Sequence, residues 1–183
     1  RWEGDFSVGY HGSNNQLEIS DGAQVNSVLG GDLGTRVGSD NNSVLVTGAG
    51  SIWRNMSDYG FIAVGFQGMG NTLTISDGGE VHNSGDNLLT SFVVGRDPGA
   101  DNNAVFVTGN GSVLNNDSGF YLGGQWNVGG RGNALHVNEG GFVSVGGYMF
   151  NRNYSTVSID DPGSQIMVGG DYYQDATSIL RFG

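Results

Sequence analysis

Thr72-Leu73-Thr74-Ile75-Ser76-Asp77-Gly78-Gly79-Glu80-Val81 is the stretch that decides the fold, because the chain repeats it. Close copies begin at Gln16 and Ala134, and a second type of copy begins at Val44 and again at Val105. Apolar and polar residues alternate within each copy, as they do in a half-buried β-strand. Glycine then supplies the backbone conformation with positive φ that a tight turn requires. The repeat therefore predicts short strands separated by turns.

The copies recur at about the length of one solenoid turn. Their first apolar residues, spaced 22 to 32 residues apart, are Leu17, Val44, Leu73, Val105, Leu135 and Val157. An apolar residue followed by glycine precedes five of them, at Val8-Gly9, Val37-Gly38, Val64-Gly65, Val94-Gly95 and Leu122-Gly123. With a third apolar segment later in each unit, the pattern predicts three strands per coil. Such a unit must stack on its neighbours to bury its apolar face.

Two columns of side chains are expected along the stack. The alternation predicts an inward apolar column of Leu17, Ile19, Val44, Val46, Leu73, Ile75, Val105, Val107, Leu135 and Val137. A column of asparagines stands two residues before the first apolar residue, at Asn15, Asn42, Asn71, Asn103 and Asn133. Asparagine bonds to backbone groups in turns, and stacked side-chain amides form ladders. We expect this column to be structural.

The composition agrees with a folded β-protein. The chain has 183 residues, 37% of them apolar, with 35 glycines but only two prolines and no strict three-residue period, which excludes collagen. No apolar run approaches the roughly 20 residues of a membrane-spanning helix. An antiparallel β-sandwich is the alternative fold. Its strands have different neighbours and have no reason to repeat their turn chemistry, so the repeat favours the solenoid.

The charge excludes one class of partner. The formal net charge is −11, and all seven basic residues are scattered arginines. A polyanion is repelled by such a field, so we expect no nucleic-acid partner. The chain also has no cysteine, which excludes a disulfide framework, a thiol nucleophile and a thiolate metal site.

The repeats resemble those in the passenger regions of bacterial autotransporters (type V secretion) and of exported proteins with PEP-CTERM sorting tails. The resemblance rests on the copies Leu73–Val81 and Val44–Trp53 and on the apolar-glycine pairs, and covers about residues 6–145. Near the end, Gly170–Leu180 is similar to a segment that such passengers carry close to their C-terminal portion. Together with the repeat, the resemblance implies an all-β, right-handed parallel β-helix (β-solenoid) of about six to seven coils, forming one domain over residues 1–183.

The resemblance also implies a function. We expect a structural or adhesive segment of an exported bacterial surface protein, secreted or held at the outer membrane, whose partner is a surface glycan or a host or cell-surface protein. The strand-like residues at the end of the chain suggest a piece of a longer exported protein. Passengers of this kind share no catalytic residues, so no catalytic or cofactor-binding residue is transferred.

Parallel β-helices also host polysaccharide lyases and glycoside hydrolases, which leaves a carbohydrate-active enzyme or a non-catalytic glycan-binding module as the alternative. Glycosidases need two carboxyl groups about 5 to 10 Å apart. Asp160 and Asp161 are adjacent, but they occupy the turn position that Thr47-Gly48 fills in another copy. We expect them to be turn residues, and an enzyme is less favoured than a scaffold.

The sequence suggests two other kinds of site, a calcium site and an aromatic contact surface. Calcium prefers oxygen-rich loops, and Asp40, Asp97 and Asp101 lie beside asparagines, but the glycine-rich calcium nonapeptide is absent. We expect His11, His82 and His136 to be surface residues, since they share no ligand spacing.

Aromatic side chains are better candidates for contact with a glycan or a partner, because aromatic rings stack on sugars and anchor interfaces. The residues proposed for this contact are Trp126, Tyr148, Tyr154, Tyr172 and Tyr173.

Overall fold

The computed structural model describes residues 6–56, 60–84, 91–125 and 128–183. These residues form an all-β parallel β-solenoid with three parallel sheets, two of seven strands and one of six. Successive strands enter different sheets, and each pairs in parallel with the strand three places later. This parallel pairing rules out the antiparallel sandwich. The described part of the chain contains no helix, and hence none long and apolar enough to cross a membrane.

The described residues form twenty short strands, which recur in the same order along the chain. Sheet 1 contains β1 (Phe6–Val8), β4 (Gly31–Leu33), β7 (Ile62–Val64), β10 (Phe92–Val94), β13 (Phe120–Leu122), β16 (Met149–Asn151) and β19 (Tyr172–Gln174). Sheet 2 contains β2 (Gln16–Ile19), β5 (Ser43–Thr47), β8 (Thr72–Ser76), β11 (Ala104–Thr108), β14 (Ala134–Asn138), β17 (Thr156–Ile159) and β20 (Ile179–Phe182). Sheet 3 contains β3 (Gln24–Ser27), β6 (Ile52–Asn55), β9 (Glu80–Asn83), β12 (Val113–Asn116), β15 (Phe142–Val145) and β18 (Gln165–Val168).

The apolar core runs through the centre of the three sheets. The inward column predicted from the alternation is confirmed, since its residues in sheet 2 are buried, apart from Leu17, which is half-buried in the first coil. Leu73 pairs in register with Val44 on one side and with Val105 on the other. The repeated copies of the sequence therefore occupy equivalent positions in successive coils.

One of the five apolar-glycine pairs, Val37-Gly38, does not end a strand of sheet 1. The strands of sheet 1 do end at Val8, Val64, Val94 and Leu122, but in the second coil the strand ends at Leu33, followed by Gly34. Val37 is 84% exposed and lies in the corner beyond that strand. The structure places Gly31 at the inward position of β4, and the ring of Trp53 fills the space beside it. A large side chain from sheet 3 thus replaces the one that β4 lacks.

The predicted asparagine column forms a ladder of hydrogen bonds. The Nδ2 of each asparagine donates to the Oδ1 of the asparagine in the next coil, at 2.8 Å from Asn15 to Asn42, 2.9 Å to Asn71, 3.0 Å to Asn103 and 3.2 Å to Asn133. The backbone N–H of each donor residue bonds to the same oxygen. Each acceptor oxygen therefore satisfies two donors, and the four asparagines that supply these oxygens are fully buried.

A second, shorter ladder lies at the end of sheet 3 and was not predicted. Asn55 Nδ2 donates to Asn83 Oδ1 at 2.8 Å, and Asn83 Nδ2 donates to Asn116 Oδ1 at 2.7 Å. All three side chains are fully buried. Asn116 also donates to the backbone carbonyls of Ser118 and Gly119. The sequence carries this signal, since the three asparagines end equivalent strands at separations of 28 and 33 residues.

Both ladders end before the last coils. By strand register, Ser155 and Ser178 follow Asn133 in the first ladder position, and Val145 and Val168 follow Asn116 in the second. Neighbouring coils at the end of the solenoid are therefore joined by fewer side-chain amide hydrogen bonds than the coils before them.

Candidate functional site

A stack of aromatic rings lies on the outer face of sheet 1 in its last strands. Tyr121, Phe150 and Tyr173 occupy the central, outward positions of β13, β16 and β19 and pair in register. Their rings are nearly parallel, with centroids 5.1 Å apart for the first pair and 4.9 Å for the second. Tyr121 is buried, whereas Tyr173 is 46% exposed. The stack therefore emerges at the surface towards the C-terminal end of the solenoid.

Tyr148 widens this exposed surface. Its ring is 46% exposed and lies 6.4 Å from Phe150 and 6.2 Å from Tyr173, inclined by 55° and 50°. The guanidinium carbon of Arg152 lies 4.1 Å from the centroid of Phe150. We call Tyr148, Phe150 and Tyr173 the aromatic patch. It offers exposed rings beside a cation, a combination suited to stacking against a sugar or a partner side chain.

An acid lies at the edge of the aromatic patch. The hydroxyl of Tyr173 donates to Asp171 Oδ2 at 3.0 Å. This hydrogen bond and the charge of Asp171 raise the pKa of the Tyr173 hydroxyl above its usual value. The tyrosine thus stays neutral near neutral pH, and the carboxylate keeps further acceptor sites for a hydroxyl of a ligand. The aromatic patch therefore combines exposed rings with a hydrogen-bond acceptor at its edge.

Five aromatic residues were proposed from the sequence, and the four that the structure describes lie at three different places. Tyr148 and Tyr173 belong to the aromatic patch. Tyr172 points inward and packs against the core, and its hydroxyl accepts a hydrogen bond from Asn151 and donates one to Gln174. Tyr154 is 57% exposed at the corner between β16 and β17, where Arg131 lies over its ring. Trp126 lies outside the described residues.

A chain of hydrogen-bonded polar side chains on the outer face of sheet 2 differs from a catalytic triad in the order of its residues. His136 Nδ1 and the Ser158 hydroxyl are 2.7 Å apart, and that hydroxyl donates to Asp160 Oδ2 at 2.9 Å. Arg181 completes the chain with a bond of 2.8 Å to Asp160. A triad needs histidine between serine and acid, whereas here serine is in the middle. Burial lowers the pKa of His136, Asp160 raises it and Arg181 lowers it, with a net decrease.

The side chains of Asp40, Asp97 and Asp101 form hydrogen bonds to neighbouring residues at the corners of the solenoid. Asp40 Oδ1 accepts the backbone N–H of Met69 at 2.9 Å, and Asp101 Oδ1 accepts that of Arg131 at 2.7 Å. Asp97 bonds to Gln67 and Arg96. In the part of the chain with a described structure, no three histidine, aspartate or glutamate side chains come together as metal ligands. The structure thus does not gather the three acids weighed for calcium.

Asp160 and Asp161 both lie beyond β17, as predicted for turn residues. Asp161 accepts hydrogen bonds from the backbone of Glu139, Gly163 and Ser164 and from the Ser164 hydroxyl. The Ser164 hydroxyl is the largest influence that lowers the pKa of Asp161. These bonds hold the turn that follows β17.

Asp175 has a similar role at a different corner, between β19 and β20. Its carboxylate accepts the backbone N–H of Asn153 at 2.8 Å and both the N–H and the hydroxyl of Thr177 at 2.9 and 2.8 Å. Partial burial raises the pKa of Asp175, but these hydrogen bonds outweigh it and lower the pKa from 3.8 to about 2. The folded protein therefore favours the ionised form at this corner.

This shift predicts a dependence of stability on pH. Because the folded pKa is below the unfolded one, Asp175 stabilises the fold above about pH 4, and this contribution is lost as the pH falls towards 2. Allowing for solvent screening, we expect Asp175→Asn to cost about 1 kcal/mol at pH 7 and much less at pH 2. Urea unfolding of both proteins at the two pH values measures the difference. An equal cost at both values would contradict the assignment.

The sequence matches no protein-family model, and no curated protein and no solved structure resembles it at a significant level.

Proposed function

We propose that the chain is a structural and adhesive solenoid segment of an exported bacterial surface protein, similar to an autotransporter passenger. The observation that carries the proposal is the solenoid itself, whose core and asparagine ladders use most of the repeated residues for stacking one coil on the next. The side chains left over for contact lie on the outer face, above all in the aromatic patch. A stiff body with a lateral contact surface suits a spacer or an adhesin.

The number of coils, the handedness, the location and the partner belong to the same proposal. Sheets of seven, seven and six strands support six to seven coils, and right-handed winding is the general rule for parallel strands joined by crossovers. A position at the cell surface or outer membrane, and a partner that is a surface glycan or a cell-surface protein, follow from the resemblance of the repeats. The aromatic patch is the proposed contact.

Cell binding tests the adhesive role. Beads coated with the chain are expected to bind epithelial or bacterial cells. The double variant Tyr148→Ala and Tyr173→Ala is expected to reduce the number of bound cells at least about fivefold, because aromatic anchors dominate the energy of many interfaces. Tyr154→Ala is the matched control, because it removes an exposed tyrosine outside the patch. Equal binding by all three proteins, or glycan cleavage that a single acid substitution abolishes, would overturn the proposal.

Glycan binding without cleavage is the second candidate function, and the carboxylate of Asp171 beside Tyr173 favours it. Sugars are held by an aromatic ring together with an acceptor for their hydroxyls. Affinity electrophoresis in gels containing a bacterial or host polysaccharide separates it from adhesion to protein, because only glycan binding retards the chain in the gel. Release of new reducing ends or unsaturated products would instead indicate an enzyme.

A further inference from the structure

The last strand of each sheet has one unpaired side. Within the described residues, β18, β19 and β20 each pair in parallel with one strand only, and all three lie at the same end of the solenoid. The backbone N–H and C=O groups on their other side form three parallel edges, and such edges are templates for pairing with another strand. The last coil therefore presents an interaction surface across the solenoid axis.

The apolar core is open at this surface. A cavity of about 250 Å³ is lined there by apolar side chains of the last two coils. Leu180 and Phe182 continue the inward columns of Leu135 and Val137, which are fully buried. Phe182 is nevertheless 70% exposed. An occupant of this surface must therefore bring apolar side chains to the inward positions as well as strands to the edges.

The first coil has the complementary features. In the described part of the chain, β1, β2 and β3 pair only with the strands of the second coil. Their inward side chains Phe6, Leu17 and Val25 pack against the core but are only partly buried. Because successive coils share one three-sheet cross-section, the first coil of a second copy offers strands and apolar side chains where the last coil is open. A single strand of an unrelated protein would meet only one edge.

The register of the sheets determines which residues meet in such a stack. Continuing the observed register by one strand places β1 of a second copy beside β19, and β2 beside β20. The inward pairs formed in this way are Phe6 with Tyr172, Leu17 with Leu180 and Ile19 with Phe182. Sheet 3 has one strand fewer than the other sheets, so β3 and β18 are two strand positions apart. Sheets 1 and 2 therefore make the contact.

Charge identifies a second copy as the occupant. Arg181 is the only charged residue in β18, β19 and β20, and Glu18 is the only one in β1, β2 and β3. Both belong to one outward column of sheet 2, which the register follows through all seven strands. In the stack, Glu18 of the second copy lies one strand spacing, about 4.8 Å, from Arg181. The two surfaces thus have opposite charges in register.

Arg181 can bind this second acid. Its Nη2 donates to Asp160 Oδ1 at 2.8 Å, yet the Arg181 side chain is 60% exposed. A guanidinium has five N–H donors, so the bond to Asp160 leaves others for Glu18. The ion pair lies at the exposed rim of the contact, where charge complementarity contributes specificity more than affinity.

We propose that the last coil of this chain binds the first coil of a second copy head to tail, by strand pairing in sheets 1 and 2, apolar contact in the core and the ion pair between Arg181 and Glu18. The contact joins two different surfaces. Each added copy therefore leaves one of each surface free, and the assembly grows along the solenoid axis. The inference goes beyond the adhesive function proposed above and does not rest on it.

Sedimentation velocity of the 183-residue chain over a range of concentrations tests the assembly. The mass is expected to rise from one copy through two to higher multiples. Glu18→Arg and Arg181→Glu are each expected to raise the dissociation constant about tenfold or more, because each places like charges one strand apart. Arg54→Glu is the matched control, since it makes the same reversal in sheet 3 of the second coil, and it is expected to associate like the wild type.

Mixing the two charge variants separates lost contact from lost folding. When Glu18→Arg meets Arg181→Glu, the charges are opposite at both kinds of junction, so equal amounts are expected to restore wild-type association. A single copy at every concentration, or a mass that stops at two copies, would overturn the proposal. Failure of the mixture to associate, or equal weakening by Arg54→Glu, would do so as well.

Disulfide crosslinking tests the register, and the chain has no cysteine of its own to interfere. Gln16 and Ile179 begin and end one outward column of sheet 2, six strand spacings or about 29 Å apart within a chain. In the stack they are neighbours, so the variant with Gln16→Cys and Ile179→Cys is expected to form covalent multimers on oxidation. Asn26→Cys with Met167→Cys is the control, because these positions of sheet 3 are two strands apart, beyond the roughly 7 Å that a disulfide spans. Equal crosslinking of both pairs would contradict the assignment.

Discussion

Replacing Asn71 with alanine is expected to lower the free energy of unfolding by about 2–4 kcal/mol. The Asn71 Oδ1 accepts both the backbone N–H and the Nδ2 of Asn42, each at 2.9 Å. Asn42 Nδ2 keeps a second acceptor in the carbonyl of Ser39, but its backbone N–H has only the Asn71 oxygen in the described hydrogen bonds. Truncation therefore leaves a buried donor without a partner, in addition to a small cavity.

Asn115→Ala provides the matched control. Asn115 is the residue next to Asn116 on β12, but it faces outward, and its amide bonds to Asp117 at an exposed position. The same chemical change there is expected to cost less than about 0.5 kcal/mol, as for other surface substitutions. Urea unfolding of both variants measures the two costs. If they were equal, the ladder would contribute nothing that a surface asparagine lacks.

The variant Asn71→Asp changes the hydrogen bonding of the side chain while keeping its volume almost unchanged. The aspartate keeps the acceptor for Asn42, but it places a carboxylate oxygen against Asn103 Oδ1, to which the Asn71 amide donates at 3.0 Å. A protonated carboxyl can donate where the ionised one cannot. The extra instability relative to the wild type is therefore expected to be largest at pH 7 and to shrink as the pH falls towards 4.

The repeat predicted the sheet 2 side of this fold well because the relevant signals are local. Alternation over five residues identifies Leu73 and Ile75 as inward, and the position of Asn71 before them marks the corner. Parallel stacking then copies these positions into every coil. The aromatic stack was less visible, since Phe150 becomes a stacking residue only through its register with Tyr121 and Tyr173.

The errors arose where packing depends on another part of the coil. Val37-Gly38 looks like the end of a strand, but the strand ends at Leu33, and Trp53 of the opposite sheet fills the space at Gly31. No local pattern in β4 reveals that compensation.

The glycine that follows each of the first four strands of sheet 1 is explained by the asparagine ladder. Gly9, Gly34, Gly65 and Gly95 all have positive φ, and a Cβ at any of them would overlap the ladder asparagine of a neighbouring coil. The apolar-glycine pair and the asparagine column are thus two parts of one corner. Glycine supplies both the left-handed backbone and the space that the amide occupies.

Gly65→Ala is accordingly expected to destabilise the protein by about 3 kcal/mol or more. The backbone at Gly65 has a φ of +76°, which costs a non-glycine residue about 1–2 kcal/mol. The new methyl group would also overlap the side chain of Asn103, and overpacking typically costs a further 1–3 kcal/mol. Thermal or urea unfolding measures the sum.

Gly99→Ala isolates the backbone contribution. Gly99 has a φ of +88°, and a Cβ there meets nothing within 4 Å, so only the conformational cost of about 1–2 kcal/mol is expected. The difference between the two variants then reports the space that the ladder needs. Equal destabilisation would show that Asn103 moves aside without cost.

A double-mutant cycle makes the assignment specific to one pair. Asn103→Ala is itself destabilising, because Asn103 Oδ1 accepts two bonds from Asn71. It also removes the atoms that the new methyl group would overlap. In the Asn103→Ala background, Gly65→Ala is therefore expected to cost no more than Gly99→Ala does, leaving a coupling of about 1–3 kcal/mol between the two sites. Additive costs would mean that the glycine serves the turn alone and that the ladder does not determine the residue beside it.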